Sequence, residues 1–158
     1  MSNLDFRLGT GALKYEEELG IAAWLMSRSR QYQLFQLACI TLWIEPAIRH
    51  RQILFVFNEY EKPIGYCTWA FLAPDVEKRW LHDPQVLLHE CEWNEGNNLW
   101  IMDFCAPLGR VPEILRHMRT EMFPEHDSAF SVRRDRDGSV KKTSQWIRAK
   151  PPSPSVEM

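Results

Sequence analysis

The stretch Leu99–Gly109, LWIMDFCAPLG, decides how the chain is read. Trp100, Ile101 and Met102 form an apolar run ahead of Asp103; Phe104, Cys105 and Ala106 continue it until Pro107 and Gly109 break it. A short apolar run closed by turn residues is the pattern of a buried strand. Aspartate is disfavoured in such a strand, because a buried carboxylate is costly unless it is paired or hydrogen-bonded. Asp103 therefore has two readings. In one it is structural, held by backbone N–H groups where the strand splays. In the other it is a carboxylate at the floor of a cleft, there to orient or deprotonate a substrate.

Outward from this strand the pattern alternates between helix and strand. Pro112 suits the first turn of a helix with Ile114, Leu115, Met118 and Met122 on its inner face, stopped by Phe123-Pro124. Upstream, Ile53–Phe57 (ILFVF) is apolar on both faces, as a central strand is, and Ile64–Leu72 returns after a polar turn, making a hairpin. Pro74 and Asp75 open a short helix carrying Trp80 and Leu81, and a polar, acidic segment from His82 to Asn98 leads into the central strand. Ala129–Val132 and Val140–Ile147 read as two more strands about an Asp137-Gly138 turn.

Before the hairpin, a first helix follows the acidic run Glu16–Glu18 and ends in a polar break containing Ser29 and Tyr32. A second helix is expected from the spacing of Leu34, Leu37, Ala38, Thr41 and Leu42, with Glu45-Pro46 interrupting it. Residues 1–13 are expected to be a flexible arm, residues 14–149 a single domain and residues 150–158 a disordered Pro/Ser-rich tail. The order predicts an α+β (α/β) fold, a mixed central sheet flanked by helices.

Composition narrows the function. The 158 residues suit one domain with a full core, and seven Trp and eight Phe predict aromatic packing. A net charge of −2 argues against a general nucleic-acid binder. Cys39, Cys67, Cys91 and Cys105 lack C-x-x-C spacing and read as small buried hydrophobes of a reducing compartment. With no apolar signal core and no membrane-spanning run, a cytoplasmic location is expected.

The hairpin FVFNEYEKPIGYCTWA, followed by a strand and then a helix, resembles the core of the acetyltransferase-like (GNAT) fold. Such folds cradle the pyrophosphate of coenzyme A on a Gly-rich loop at the start of that helix. Here the segment is Pro107-Leu108-Gly109-Arg110-Val111-Pro112, with one glycine and a proline that lacks an N–H. That composition argues against coenzyme A as the preferred donor.

A narrower resemblance is spread from Leu19 to Lys150. Leu19-Gly20, Trp24-Leu25, Ser29, Pro46-Ala47-Ile48-Arg49, Tyr66-Cys67, Trp69-Ala70, Trp93, Trp100, Asp103, Ala106-Pro107 and Gly109 carry its first part. Met118-Arg119, Phe123-Pro124, Arg133, Asp135 and Ser144 complete it. In order and spacing these residues resemble the toxin-activating lysine acyltransferases that fatty-acylate RTX hemolysins. The resemblance implies a GNAT-like fold, often dimeric, and an acyl group taken from acyl carrier protein as its phosphopantetheine thioester, with no bound cofactor. The acceptor implied is a lysine of a protein or peptide.

The family's catalytic pair is a histidine and an aspartate. Asp103 falls on the aspartate, but Tyr32 stands at the histidine position. An unperturbed tyrosine, with a pKa of about 10, does not accept a lysine's proton near neutral pH. It can protonate the departing thiolate, with Asp103 as the base. Ser29, Arg49, Trp69, Trp100 and Arg133, matched by the resemblance, are the implied substrate-binding residues. The alternative function is a catalytically impaired homologue that binds an acyl chain, an acyl carrier or the target polypeptide.

Other residues offer less. His82, His89, His117 and His126 fit no metal spacing, so no metal site is expected, and His50 is a remote candidate for approach to Asp103. Cys105, two residues from Asp103, is expected on the same face, as packing more readily than as a nucleophile. The basic run Arg133, Arg134, Arg136, Lys141, Lys142, Arg148 and Lys150 suits an acidic partner such as an acyl carrier protein. It contrasts with the acidic segment Asp83, Glu90, Glu92 and Glu95.

Overall fold

A computed structural model describes residues 3–135, 137 and 139–147. Its elements run β1 (Asp5–Leu8), α1 (Tyr15–Ser27), α2 (Glu45–Arg49), β2 (Ile53–Phe57), β3 (Pro63–Leu72), α3 (Pro74–His82), β4 (Asn98–Cys105), α4 (Val111–His117), β5 (Ser128–Arg134) and β6 (Val140–Ile147). The six strands lie in one sheet in the order β1-β2-β3-β4-β5-β6. All neighbours are antiparallel except β4 and β5, which run parallel. This is the expected mixed sheet of an α+β fold.

The hairpin forms for local reasons. The Asn58 side-chain oxygen accepts N–H bonds from Tyr60 and Lys62, each 3.0 Å, and Glu61 takes a left-handed φ of 58° to close the turn. Every residue of β2 is buried, as the two-sided apolar run requires. Two cores result. On one face, α1, α2 and α3 cover Phe55, Tyr66, Ala70, Leu72, Trp93, Trp100 and Met102. On the other, Ile114 of α4 and the π-helical turn Met118–Met122 that continues it pack on Leu54, Val56, Cys67, Trp69, Leu99 and Ile101. Buried Leu, Ile and Phe side chains of this kind each stabilise the fold by about 1.5–3 kcal/mol.

Two expectations change. Residues 5–8 of the expected arm are paired: Asp5 to Leu8 lie opposite Phe57 to Leu54. The chain then turns through Gly9, where a Cβ would sit 2.3 Å from the Ile53 side chain. Second, the apolar spacing of Leu34, Leu37, Ala38, Thr41 and Leu42 does not make a regular α-helix. Turns occupy most of residues 30–39, followed by a π-helical turn at Ile40–Ile44, and Leu34 and Leu37 are 60% and 81% exposed. Pro46 opens α2 instead of interrupting a longer helix, since its missing N–H is not needed in a first turn. Arg136, Gly138 and residues 148–158, including Arg148, Lys150 and the expected tail, lie outside the described residues.

Candidate active site

Asp103 owes its position to a bulge. Along β3 and β4, Thr68 pairs with Asp103 but Trp69 pairs with Ile101, so Met102 is the extra residue. A bulge breaks strict alternation and re-aims the side chains after it. Leu99 and Ile101 pack in the α4 core, Trp100 and Met102 in the α1 core. After the bulge Asp103 meets a residue of the α1 side, Cys105 belongs to that core, and Phe104 packs in the other. The paired register of β4 with β5 ends at Ile101 and Ser131, so Asp103 lies just past their last paired residue. β4 stays paired with β3 as far as Cys105 but is no longer paired with β5 there.

The Tyr32 hydroxyl donates to Asp103 Oδ1 at 3.2 Å, across 71 residues of sequence. The Asp103 backbone N–H donates to Thr68 Oγ1 at 3.0 Å. Burial pushes the Asp103 carboxyl up from its ordinary 3.8 to about 6, with the Tyr32 hydrogen bond pulling modestly the other way. A carboxyl there is mostly ionised at neutral pH yet more basic than an ordinary aspartate. Tyr32 is held well above its ordinary 10, first by burial and then by the neighbouring Asp103 charge. It therefore keeps its proton and serves as a donor. Burial also raises the Cys105 thiol to about 12, with a smaller push from Asp103; at that value it is a packed thiol, not a thiolate nucleophile.

Of the residues singled out from the sequence, Tyr32, Ser29 and Cys105 stand at this site, Cys105 on the Asp103 face as expected. Ser29 sits in the turn whose carbonyl accepts from the Tyr32 N–H at 3.2 Å, and its side chain is close enough to Cys105 to favour the thiolate slightly against the larger effect of burial. The others lie elsewhere. Trp69 faces the opposite core, edge-on to Phe123 at 5.3 Å between centroids, because it alternates away from Thr68. Trp100 stacks on Phe130 and donates to Glu77 Oε2 at 2.8 Å. Arg49 pairs with Glu90, and His50 pairs with the same carboxylate at 2.9 Å. Arg133 is exposed on β5, and Arg134 lies over the Trp80 ring at 4.4 Å and donates to its carbonyl. Within the acidic segment Glu92 is buried and paired with Arg79 at 2.6 Å. Among the described residues no group of three or more His, Cys, Asp or Glu is placed to hold a metal ion.

Two residues at the site were not read as site residues from the sequence: Thr68, and Tyr66, which figured only in the resemblance. Both lie on β3, two apart, on the face that meets Asp103 and Cys105 in the register. Their period-two spacing from the hairpin was visible; the bulge that brings Asp103 onto their face was not.

The model for the RTX toxin acyltransferase family matches residues 12–147. The leukotoxin-activating lysine-acyltransferase LtxC of Aggregatibacter actinomycetemcomitans is 31% identical over 130 residues, covering 82% of this chain and 75% of that one. The protein-lysine myristoyltransferase HlyC of Escherichia coli is 30% identical over 131 residues, 82% of this chain and 72% of that one. Among solved structures, the loading GNATL domain of CurA from Lyngbya majuscula superposes with a TM-score of 0.56 at 11% identity, covering 85% of this chain and 66% of that one. That likeness shows a GNAT-like fold. Across nearly the whole of its described sheet and both cores, this chain belongs to the RTX toxin acyltransferase family.

Proposed function

We propose that the protein transfers a fatty acyl group from acyl carrier protein to a lysine side chain of a protein or peptide. The observation that carries the reading is the Tyr32–Asp103 hydrogen bond at the β4 bulge, with the carboxyl lifted to about 6. A lysine amine attacks the thioester carbonyl and forms a C–N bond, giving a tetrahedral intermediate. Asp103 takes the proton that nitrogen loses. The C–S bond then breaks, and the departing sulfur takes up a proton. Tyr32 alone is too weak an acid to supply it, because burial disfavours its phenolate. It relays instead: as its proton passes to sulfur, its oxygen receives the one held by Asp103. Amine and thioester become amide and thiol, and both residues return to their starting forms.

Two features favour a protein-borne donor over coenzyme A. The start of α4 makes a poor phosphate cradle: the helix has seven residues, Pro112 lies in its first turn, and the preceding Arg110 is paired with Glu113 at 2.5 Å. Arg133, Lys141 and Lys142 are exposed on β5 and β6, a basic edge suited to an acidic carrier. The test incubates the protein with acyl carrier protein or coenzyme A bearing the same acyl group and a lysine-containing acceptor, then weighs the products. Amide formation that is far faster from the carrier is expected. Carrier binding without transfer would reject the enzyme reading in favour of a binding role.

A further inference from the structure

Tyr66 carries a hydroxyl that the fold does not use. It lies on β3 opposite Cys105, two residues before Thr68 and on the same face, and packs in the core that holds Tyr32. The residue is 1% exposed, and among the described residues its hydroxyl finds no hydrogen-bond partner. An orphaned buried hydroxyl is a cost to the folded protein, so its retention calls for a reason other than packing. Its polar neighbours are otherwise engaged. Tyr32 donates to Asp103, and the Asp103 N–H donates to Thr68.

We propose that Tyr66 is a further catalytic residue, whose hydroxyl donates to the thioester carbonyl oxygen as that oxygen becomes an oxyanion. The proposal rests on the acyl-transfer reading above. Acyl transfer needs a base for the amine, an acid for the thiolate and a donor for the oxyanion, and Asp103 and Tyr32 supply the first two. Tyr66 has a free proton to offer beside both of them. Burial, then the charges of Asp103, Tyr32 and Cys105, hold it far above its ordinary pKa, so it remains a donor at every working pH. Because it is covered while Asp103 is half-buried, the carbonyl oxygen would point inward to Tyr66 and the amine would approach on the Asp103 side. No proton leaves Tyr66 in the reaction; the hydrogen bond strengthens as charge develops and relaxes when the C–S bond breaks.

Tyr66→Phe removes only the hydroxyl. Turnover, read per folded molecule below the melting transition, should fall by about 10²–10³ in kcat with KM for the carrier unchanged, the scale of losing one oxyanion donor. The melting temperature should stay the same or rise, since no hydrogen bond is lost. A variant with wild-type kcat overturns the proposal, as does one whose kcat loss comes with an equally large rise in KM and a lower melting temperature, which marks a packing role. If the wild-type protein transfers no acyl group, the functional reading itself fails and this proposal with it. Wild-type transfer with an unaffected Phe variant overturns the proposal alone.

Discussion

Asp103 holds a carboxylate where the fold would rather hold a neutral group. Its pKa in the fold is raised from 3.8 to about 6, so the folded state binds the proton more tightly than the unfolded chain. The resulting stabilisation is full below 3.8 and is lost as pH rises through about 6; at neutral pH the ionised group opposes folding. Asp103→Asn should therefore melt higher than wild type by roughly several degrees at about pH 8, with the gain vanishing at about pH 4. The same change should lower turnover by about 10²–10⁴. An Asn variant that melts lower at high pH would contradict the burial of a charged carboxyl. Wild-type activity should rise with pH through about 6, as Asp103 loses its proton.

At the same scale, Tyr32→Phe should cost less than Asp103→Asn, because a thiolate leaves readily without help. Tyr32→His restores the histidine expected of the family. It should raise turnover and move the pH optimum toward neutrality, since imidazole with a pKa of about 6.5 can accept the amine's proton itself. A silent Phe variant and an unchanged His variant would together make Tyr32 a packing residue. The aspartate was legible in the sequence because a charged residue inside an apolar strand is conspicuous. Tyr66 and Thr68 were hidden because each is ordinary in a strand, and only the register gives it a role.

At the scale of elements, β2, β3, β4 and α4 were legible because each couples an unambiguous apolar pattern to a turn or proline at its end. The segment from Leu34 to Leu42 misled for a physical reason. Helical spacing predicts a helix only if some surface accepts the apolar stripe, and Leu34 and Leu37 meet none of the described core. β1 was missed because four residues with Asp5 and Arg7 among them carry little pattern; pairing with β2 makes the strand. The link between α3 and β4 was likewise opaque, though it is closely fitted. The Gly96 N–H donates to the Phe71 carbonyl at 2.9 Å, and a Cβ there would lie 1.9 Å from the Leu72 backbone. Backbone atoms cannot step aside as a flexible side chain can. Gly96→Ala should destabilise the protein by about 1–3 kcal/mol or more, read as a lower urea midpoint. An unchanged midpoint would mean that Gly96 does not lie against the Leu72 backbone as described.

For the whole molecule, the net charge of −2 hides an uneven distribution, with exposed Arg133, Lys141 and Lys142 at one edge of the sheet. Exposed charges are screened over about 10 Å at 0.1 M salt, so use of an acidic carrier should weaken as salt rises. Arg133→Glu together with Lys142→Glu should raise KM for the carrier several-fold and leave kcat near wild type. Arg134 is unsuitable for that test, because it lies on Trp80 and its loss would disturb packing. A KM insensitive to both salt and the reversals would remove this edge from the carrier's docking surface.

The sheet's spatial order repeats the order of the chain. As the polypeptide is synthesised, each of β2, β3 and β4 meets a neighbour already present, and closing the tight turn between β2 and β3 is entropically inexpensive. Ser29, Tyr32, Tyr66, Thr68 and Asp103 all precede Pro107, so the chemistry-bearing half is complete in sequence before the parallel crossover through α4 begins. The crossover makes the parallel pairing and comes after the other four strands in the chain, and it ends by laying Phe130 on Trp100, with ring centroids 5.3 Å apart. Refolding should thus have a late phase seen through Trp100, after the first four strands have collapsed, with the last two strands closing over a centre assembled ahead of them.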